Sequence, residues 1–264
     1  MCRVLFAVGN GSEMKEFVDA LVKSSENDVY KVAFGKSPYH KDGWGFVWIS
    51  KEDLEYYKTS KPIFEDTKGV RKFLESLDGF GVLLAHTRAA SQGTVNLFNA
   101  QPLVYSSPEG FNFWFYHNGD LNKQILIDMT GLDNEKLKDI SDSYVLGLYL
   151  LSSLRSFSKD EILKRFKEIV PVVRTTLNTA SLFITPSEIK GFVTAYMVRE
   201  RERNSLYKWY SRLLKGEREN LFAIVSSTFE VYSELSFEEV KNRTAFYLII
   251  DLENEKFEIE ELTL

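Results

Sequence analysis

From Cys2 to Val8 the chain is almost continuously apolar, the pattern of a buried strand, and Gly9-Asn10-Gly11 then signals a turn. Ser12 stands where a helix N-cap is expected, with Phe17, Val18, Leu21 and Val22 at helical spacing behind it. Lys36 to Asp42 is polar and turn-like, Trp44 to Ile49 reads as a strand, and Lys68 to Leu77 reads as a helix with Val70, Phe73, Leu74 and Leu77 on one face. Asp78-Gly79 turns the chain into a strand from Phe80 to about Thr87. Phe98 to Tyr105 and Phe111 to Tyr116 are strand-like and joined by the loop Ser106-Ser107-Pro108-Glu109-Gly110. Beyond His117-Asn118-Gly119-Asp120 the pattern turns helical. Asp142 or Ser141 caps a helix through Leu148, Leu151 and Leu154, and Ser158 opens another through Ile162, Phe166 and Ile169. Strands resume at Ser181 to Thr185, Gly191 to Met197, Leu221 to Ser226, Ala245 to Leu252 and Phe257 to Ile259. Strands cluster, helices group between them, and few βαβ units occur, so the pattern predicts a layered α+β fold rather than a doubly wound one. No composition break, linker or repeat divides residues 1–264, which predicts a single domain.

Composition narrows the class. A hydrophobic content of 44% with 14% aromatics supplies a real core and argues against disorder. The formal charge of -5 gives no reason to expect nucleic-acid binding. Cys2 is the only cysteine, which fits a reducing compartment. With no signal-like N-terminus and no apolar run of membrane length, a cytoplasmic protein that does not bind membranes is expected.

Several polar residues carry two readings each. Cys2 either begins a buried strand as a small hydrophobe or, once the initiator Met is removed, is an N-terminal thiol. An N-terminal residue combines its nucleophile with an α-amine whose unperturbed pKa is about 7.7–8.0, so nucleophile and base share one residue. Arg88, after Val82-Leu83-Leu84-Ala85, is either a surface cation or a planar fork for a carboxylate. Asn118-Gly119 is either a hairpin turn or a pair of donors for an oxyanion. Asp142 is either a helix cap or an anion that receives an ammonium. His40, His86 and His117 lack metal-ligand spacing and read as structural, so no metal is expected. Arg199 to Arg218, with Tyr207, Trp209 and Tyr210 among its charges, reads as a solvated amphipathic helix or as a docking surface for a partner or acidic substrate.

In order along the chain stand Cys2, His86-Thr87-Arg88, Asn99-Ala100-Gln101-Pro102, His117-Asn118-Gly119 and Ser141-Asp142-Ser143. This ordered set resembles the class II glutamine amidotransferases, glutaminases of the N-terminal-nucleophile type. His40-Lys41-Asp42-Gly43-Trp44-Gly45 is most similar to the small stand-alone branch, which includes a γ-glutamyl amidohydrolase of ergothioneine synthesis. The resemblance implies a four-layer α/β/β/α sandwich of mainly antiparallel sheets and no cofactor. It implies that Cys2 attacks the glutamine side-chain amide, that Asn118 and the Gly119 N–H form the oxyanion hole, and that Arg88 and Asp142 hold the α-carboxylate and α-ammonium. Gly43, Trp44, Ala89, Ser91 and Gln92 would form the pocket wall. Many members carry an aromatic residue where this chain has Ala89 and a histidine where it has Gln92, so the pocket wall is expected to differ. The substrate would be glutamine or a γ-glutamyl amide; with no room for a fused synthase after this domain, ammonia would go to a separate synthase subunit or to none. A non-catalytic glutamine-binding module is the remaining alternative.

Overall fold

The computed structural model describes residues 1–264. The chain opens with β1 (Arg3–Asn10), α1 (Gly11–Glu26), α2 (Val29–Ala33), β2 (Trp44–Ser50), β3 (Leu54–Thr59), α3 (Thr67–Ser76) and β4 (Phe80–Thr87). It continues through β5 (Leu103–Ser106), β6 (Asn112–Leu121), α4 (Lys123–Thr130), α5 (Asp142–Ser153), α6 (Lys159–Ile169), β7 (Val173–Ile184) and β8 (Ile189–Ala195). The last part holds α7 (Arg199–Arg203), α8 (Ser205–Ser211), β9 (Leu213–Arg218), β10 (Leu221–Ser226), α9 (Phe229–Tyr232), β11 (Glu238–Glu239), β12 (Thr244–Asp251) and β13 (Lys256–Thr263).

These strands form two sheets, ordered β11-β9-β10-β1-β4-β2-β3 and β13-β12-β8-β7-β6-β5, with antiparallel neighbours throughout. Side chains alternate across a strand, and here both faces find apolar partners. Val4, Phe6 and Val8 of β1 face Trp114, Tyr116 and Leu182 of the second sheet. Leu5 and Ala7 point outward onto Phe17 and Leu21 of α1 and Phe73 of α3. On the far side Phe113 and Phe115 of β6 pack on Leu146 and Leu150 of α5 and Phe166 of α6. The result is the expected four-layer α/β/β/α sandwich, with β1 in the middle of one sheet and β6 one strand in from the edge of the other.

Local readings needed correction where long-range pairing decides. Gly9-Asn10-Gly11 is no separate turn: β1 runs to Asn10, which caps α1 by accepting from the Ser12 N–H at 2.9 Å. Residues 98–102 are not strand; residues 97–99 form one helical turn before β5. His117 to Asp120 is neither turn nor helix start but the end of β6, paired with β7 at Asn118↔Asn178 and Gly119↔Leu177. Residues 199–218 are not one helix but α7, α8 and β9, with Leu213 and Leu214 buried in the sheet. No helix is long and apolar enough to cross a membrane.

Candidate active site

Cys2 lies just ahead of β1, where the chain passes between β4 and the end of β6. Its backbone is bracketed by the Asn118 side chain: Cys2 N donates to Oδ1 at 2.7 Å, and Nδ2 donates to the Cys2 carbonyl at 3.0 Å. The Ala89 N–H points at Sγ from 3.4 Å. Gly119 lies where a side chain does not fit, since a Cβ there would come within 1.9 Å of the Thr176 carbonyl oxygen. Met1 precedes Cys2 and fills space above it: its carbonyl accepts from Tyr210 Oη at 3.2 Å, and its sulfur lies 3.4 Å from Thr176 Oγ1. Burial lowers the Met1 α-amine from 8.0 to about 6.

Arg88 ends β4 in a buried position. Its backbone is pinned to the Gly43 block, with Arg88 N donating to Gly43 O at 2.8 Å and Asp42 N to Arg88 O at 3.0 Å. The guanidinium donates to the carbonyls of Gln92 (2.8 Å), Gly93 (3.4 Å) and Thr94 (3.0 Å), and it forms no ion pair. Asp142 is also buried. It occupies the first turn of α5 behind the true cap, Ser141, and accepts from Leu121 N and Ser143 N at 2.8 and 2.9 Å. Burial raises its pKa, and it too has no cationic partner within salt-bridge distance. A buried cation within electrostatic reach of Cys2 and a buried anion within reach of that cation therefore stand here, each hydrogen-bonded only to backbone groups.

A cavity of about 400 Å³ opens over Met1, lined among others by Ala89, Ala90, Ser91, Gly119 and Asp120. Ala89 and Ser91 line this cavity. Gln92 turns away, its Nε2 donating to Leu121 O at 3.0 Å and to Asp120. Trp44 is no wall residue: it is fully buried in the outer core, stacked near Phe46, with its indole N–H on Asp66 Oδ2 at 3.2 Å. Gly43 contributes through its carbonyl rather than its surface. A larger hollow of about 490 Å³ at the far sheet edge, lined by residues such as Thr185, Ile249 and Asp251, includes none of Cys2, Arg88, Asn118 and Asp142.

Residues 28–175 match the family described as glutamine amidotransferases class-II. The chain belongs to that family. Among solved structures, the class II glutamine amidotransferase fold seen here is similar to glutamine phosphoribosylpyrophosphate amidotransferase from B. subtilis, with a TM-score of 0.62 and 19% identity over 98% of this chain and 49% of that one. It is similar to an allosteric regulatory enzyme of purine biosynthesis, with a TM-score of 0.62 and 21% identity over 98% of this chain and 48% of that one. It also resembles a glutamine aminotransferase class-II domain protein from Silicibacter pomeroyi, with a TM-score of 0.54 and 15% identity over 99% of this chain and 99% of that one. The chain spans about half the length of the first two, and at these identities the likeness is one of fold. No curated protein matches at a significant level.

In this class II frame, several residues gain roles that the sequence did not assign to them. Thr176, from β7, donates through Oγ1 to Asn118 O at 2.8 Å and so fixes the strand end that carries Asn118 and Gly119. Tyr210 covers Met1 from α8. Gln101 clamps the His117 backbone from both sides, accepting from its N–H at 2.7 Å and donating to its carbonyl at 3.3 Å. His117 bridges Ser143 Oγ and the Thr176 carbonyl, each at 3.1 Å. His40 contacts Asp28 at 2.6 Å, and Arg3 contacts the same carboxylate at 3.0 Å. Thr176 sits in a stretch, 170–180, that the local pattern assigns to no element, and Tyr210 in one that reads as a solvated amphipathic helix or a docking surface, so nothing nearby marks either for the site.

Proposed function

We propose that the protein hydrolyses the side-chain amide of glutamine through a thioester on Cys2, after removal of Met1. The observation that carries this reading is the convergence on Cys2 of the Asn118 amide and the Ala89 N–H. In the processed chain the Cys2 nitrogen becomes an amine. Asn118 Oδ1 accepts one of its protons, which leaves the lone pair for the thiol proton. An amine in a buried position is driven toward its neutral form, as required of a base near neutral pH.

Cys2 Sγ attacks the amide carbon, and the tetrahedral oxyanion takes hydrogen bonds from Asn118 Nδ2 and the Gly119 N–H. One Nδ2 proton is committed to Cys2 O, so the second is the one available. The α-amine passes the proton to the departing ammonia, and water then splits the thioester to release glutamate. Arg88 receives the substrate α-carboxylate by exchanging its carbonyl partners at residues 92–94, and Asp142 receives the α-ammonium. Burying unpaired charges is costly, and a zwitterionic amino acid offsets that cost at both.

Hydrolysis without an acceptor and delivery of ammonia to a separate synthase subunit use the same chemistry at Cys2. Glutamate release by the wild-type protein and by Cys2→Ala tests the proposal: release should vanish in the variant, and undiminished release would exclude Cys2 as nucleophile.

A further inference from the structure

Arg88 and Asp142 do not line the cavity above Met1, so its volume lies beyond the groups assigned to the glutamyl moiety. The far wall comes from α2, α8 and the connection that follows α2. Phe34 stacks on Tyr207 with ring centroids 4.6 Å apart, and it tilts against Tyr210 at 5.4 Å. This aromatic seam carries four cations to the cavity: Lys31, Lys36, Lys41 and Arg201.

None of the four forms an ion pair, although the protein as a whole carries -5 and pairs many of its other cations. Lys31 Nζ donates to the Tyr39 carbonyl; Arg201 donates to Ser211 Oγ at 3.2 Å and lies 4.8 Å over the Tyr207 ring. Burial lowers the pKa of both, against the weaker opposing pull of Asp28 and Asp42 on Lys31 and of Asp120 on Arg201. The two carboxylates on the cavity wall are engaged elsewhere: Asp42 accepts from Ala90 N at 2.8 Å, and Asp120 from Gln92 Nε2. Four cations against these two carboxylates leave the cavity net positive, with aromatic faces on the side away from the glutamyl-holding residues.

We propose that this cavity is a leaving-amine subsite that selects γ-glutamyl amides whose amine carries a carboxylate, as in γ-glutamyl amino acids, over amides with a neutral leaving group. The inference rests on the Cys2 mechanism. Sγ bonds to the glutamyl δ-carbon, the C–N bond breaks, and the thiol proton passes through the α-amine to the amino-acid nitrogen. The amino acid departs past Lys31 and Arg201, and water splits the thioester to glutamate. Free glutamine leaves this space unused.

The test compares kcat/KM for γ-glutamylglycine, its neutral counterpart γ-glutamylglycinamide, and glutamine, using protein whose mass shows that Met1 is absent. The expected preference for γ-glutamylglycine over the glycinamide is about tenfold or more, the size of one charge-assisted hydrogen bond. That ratio should shrink in Lys31→Gln/Arg201→Gln. It should also shrink in wild type as salt rises, a readout that holds even where the double variant is destabilised. Equal rates on glycine and glycinamide substrates alongside glutamine turnover would overturn the subsite and leave the Cys2 mechanism standing, as would a preference insensitive to both substitution and salt. No glutamate from any of the three would overturn both.

Discussion

Arg88 shows how a residue can look satisfied and still be poised. Three backbone carbonyls occupy its guanidinium, yet carbonyl dipoles neutralise only part of a full charge in a buried place. A carboxylate that replaces them gains a charge-assisted pair worth about 1.5–3 kcal/mol. Arg88→Ala should therefore raise KM by about 10-fold to 150-fold with a smaller change in kcat. Steady-state kinetics decides this, and an unchanged KM removes Arg88 from substrate binding. Cys2, Arg88, Asn118 and Asp142 could be singled out from the sequence because an ordered set of short motifs carries them. Trp44 belongs to the same motif block but serves the core, because a motif fixes order along the chain and not the direction of each side chain. Thr176 and Tyr210 belong to no such block; the pairing of β7 with β6 brings Thr176 to Asn118, and α8 brings Tyr210 to the Met1 carbonyl.

The end of β6 is the element whose local signal misleads most. Asn118-Gly119 has the composition of a two-residue hairpin, yet it stays in the ladder because β7 pairs with it through Leu177. The glycine is needed for room rather than for a turn, since the Thr176 carbonyl lies where a Cβ would stand. Gly119→Ala should cost about 1–3 kcal/mol, the range for forcing atoms into a packed site, and should disturb Asn118 beside it. A denaturant midpoint lowered along with turnover is the expected pair of results; unchanged stability would contradict the packing argument. The segment 199–218 was misread for a related reason. Its apolar residues fit helical spacing, but Leu213 and Leu214 gain more by joining β9 beside β10.

Across the whole molecule, the apolar strands and their alternation made a layered α+β fold legible. Strand order was not, because neighbours such as β1 and β10 are more than two hundred residues apart along the chain, as in the pair Leu5↔Val225. A shorter but still non-local separation hid the buried cluster that ties β1 to the cavity wall through Arg3, Asp28 and His40. Burial lowers His40 from 6.5 to about 3, against the opposing pull of Asp28. Asp28 itself is held at about 2: burial alone would raise it, but Arg3 and His40 together prevail. Both groups bind fewer protons folded than unfolded, so stability should climb with pH between about 3 and 6.5 and level off above. His40→Gln should flatten that slope between about pH 4 and 6.5, where the imidazole alone titrates in the unfolded chain. Denaturant unfolding across the range checks it, and an equal slope in the variant would place the acid sensitivity elsewhere.

Met1 occupies the space above the proposed nucleophile and, while present, converts the proposed base into an amide. The most direct test is the intact mass of a preparation measured together with its glutamate release from glutamine, for wild type and for Cys2→Ala. Active wild-type protein should lack Met1 and begin at Cys2, and the Cys2→Ala protein should release no glutamate. Full activity in protein that retains Met1, or in the alanine variant, would contradict the N-terminal cysteine mechanism.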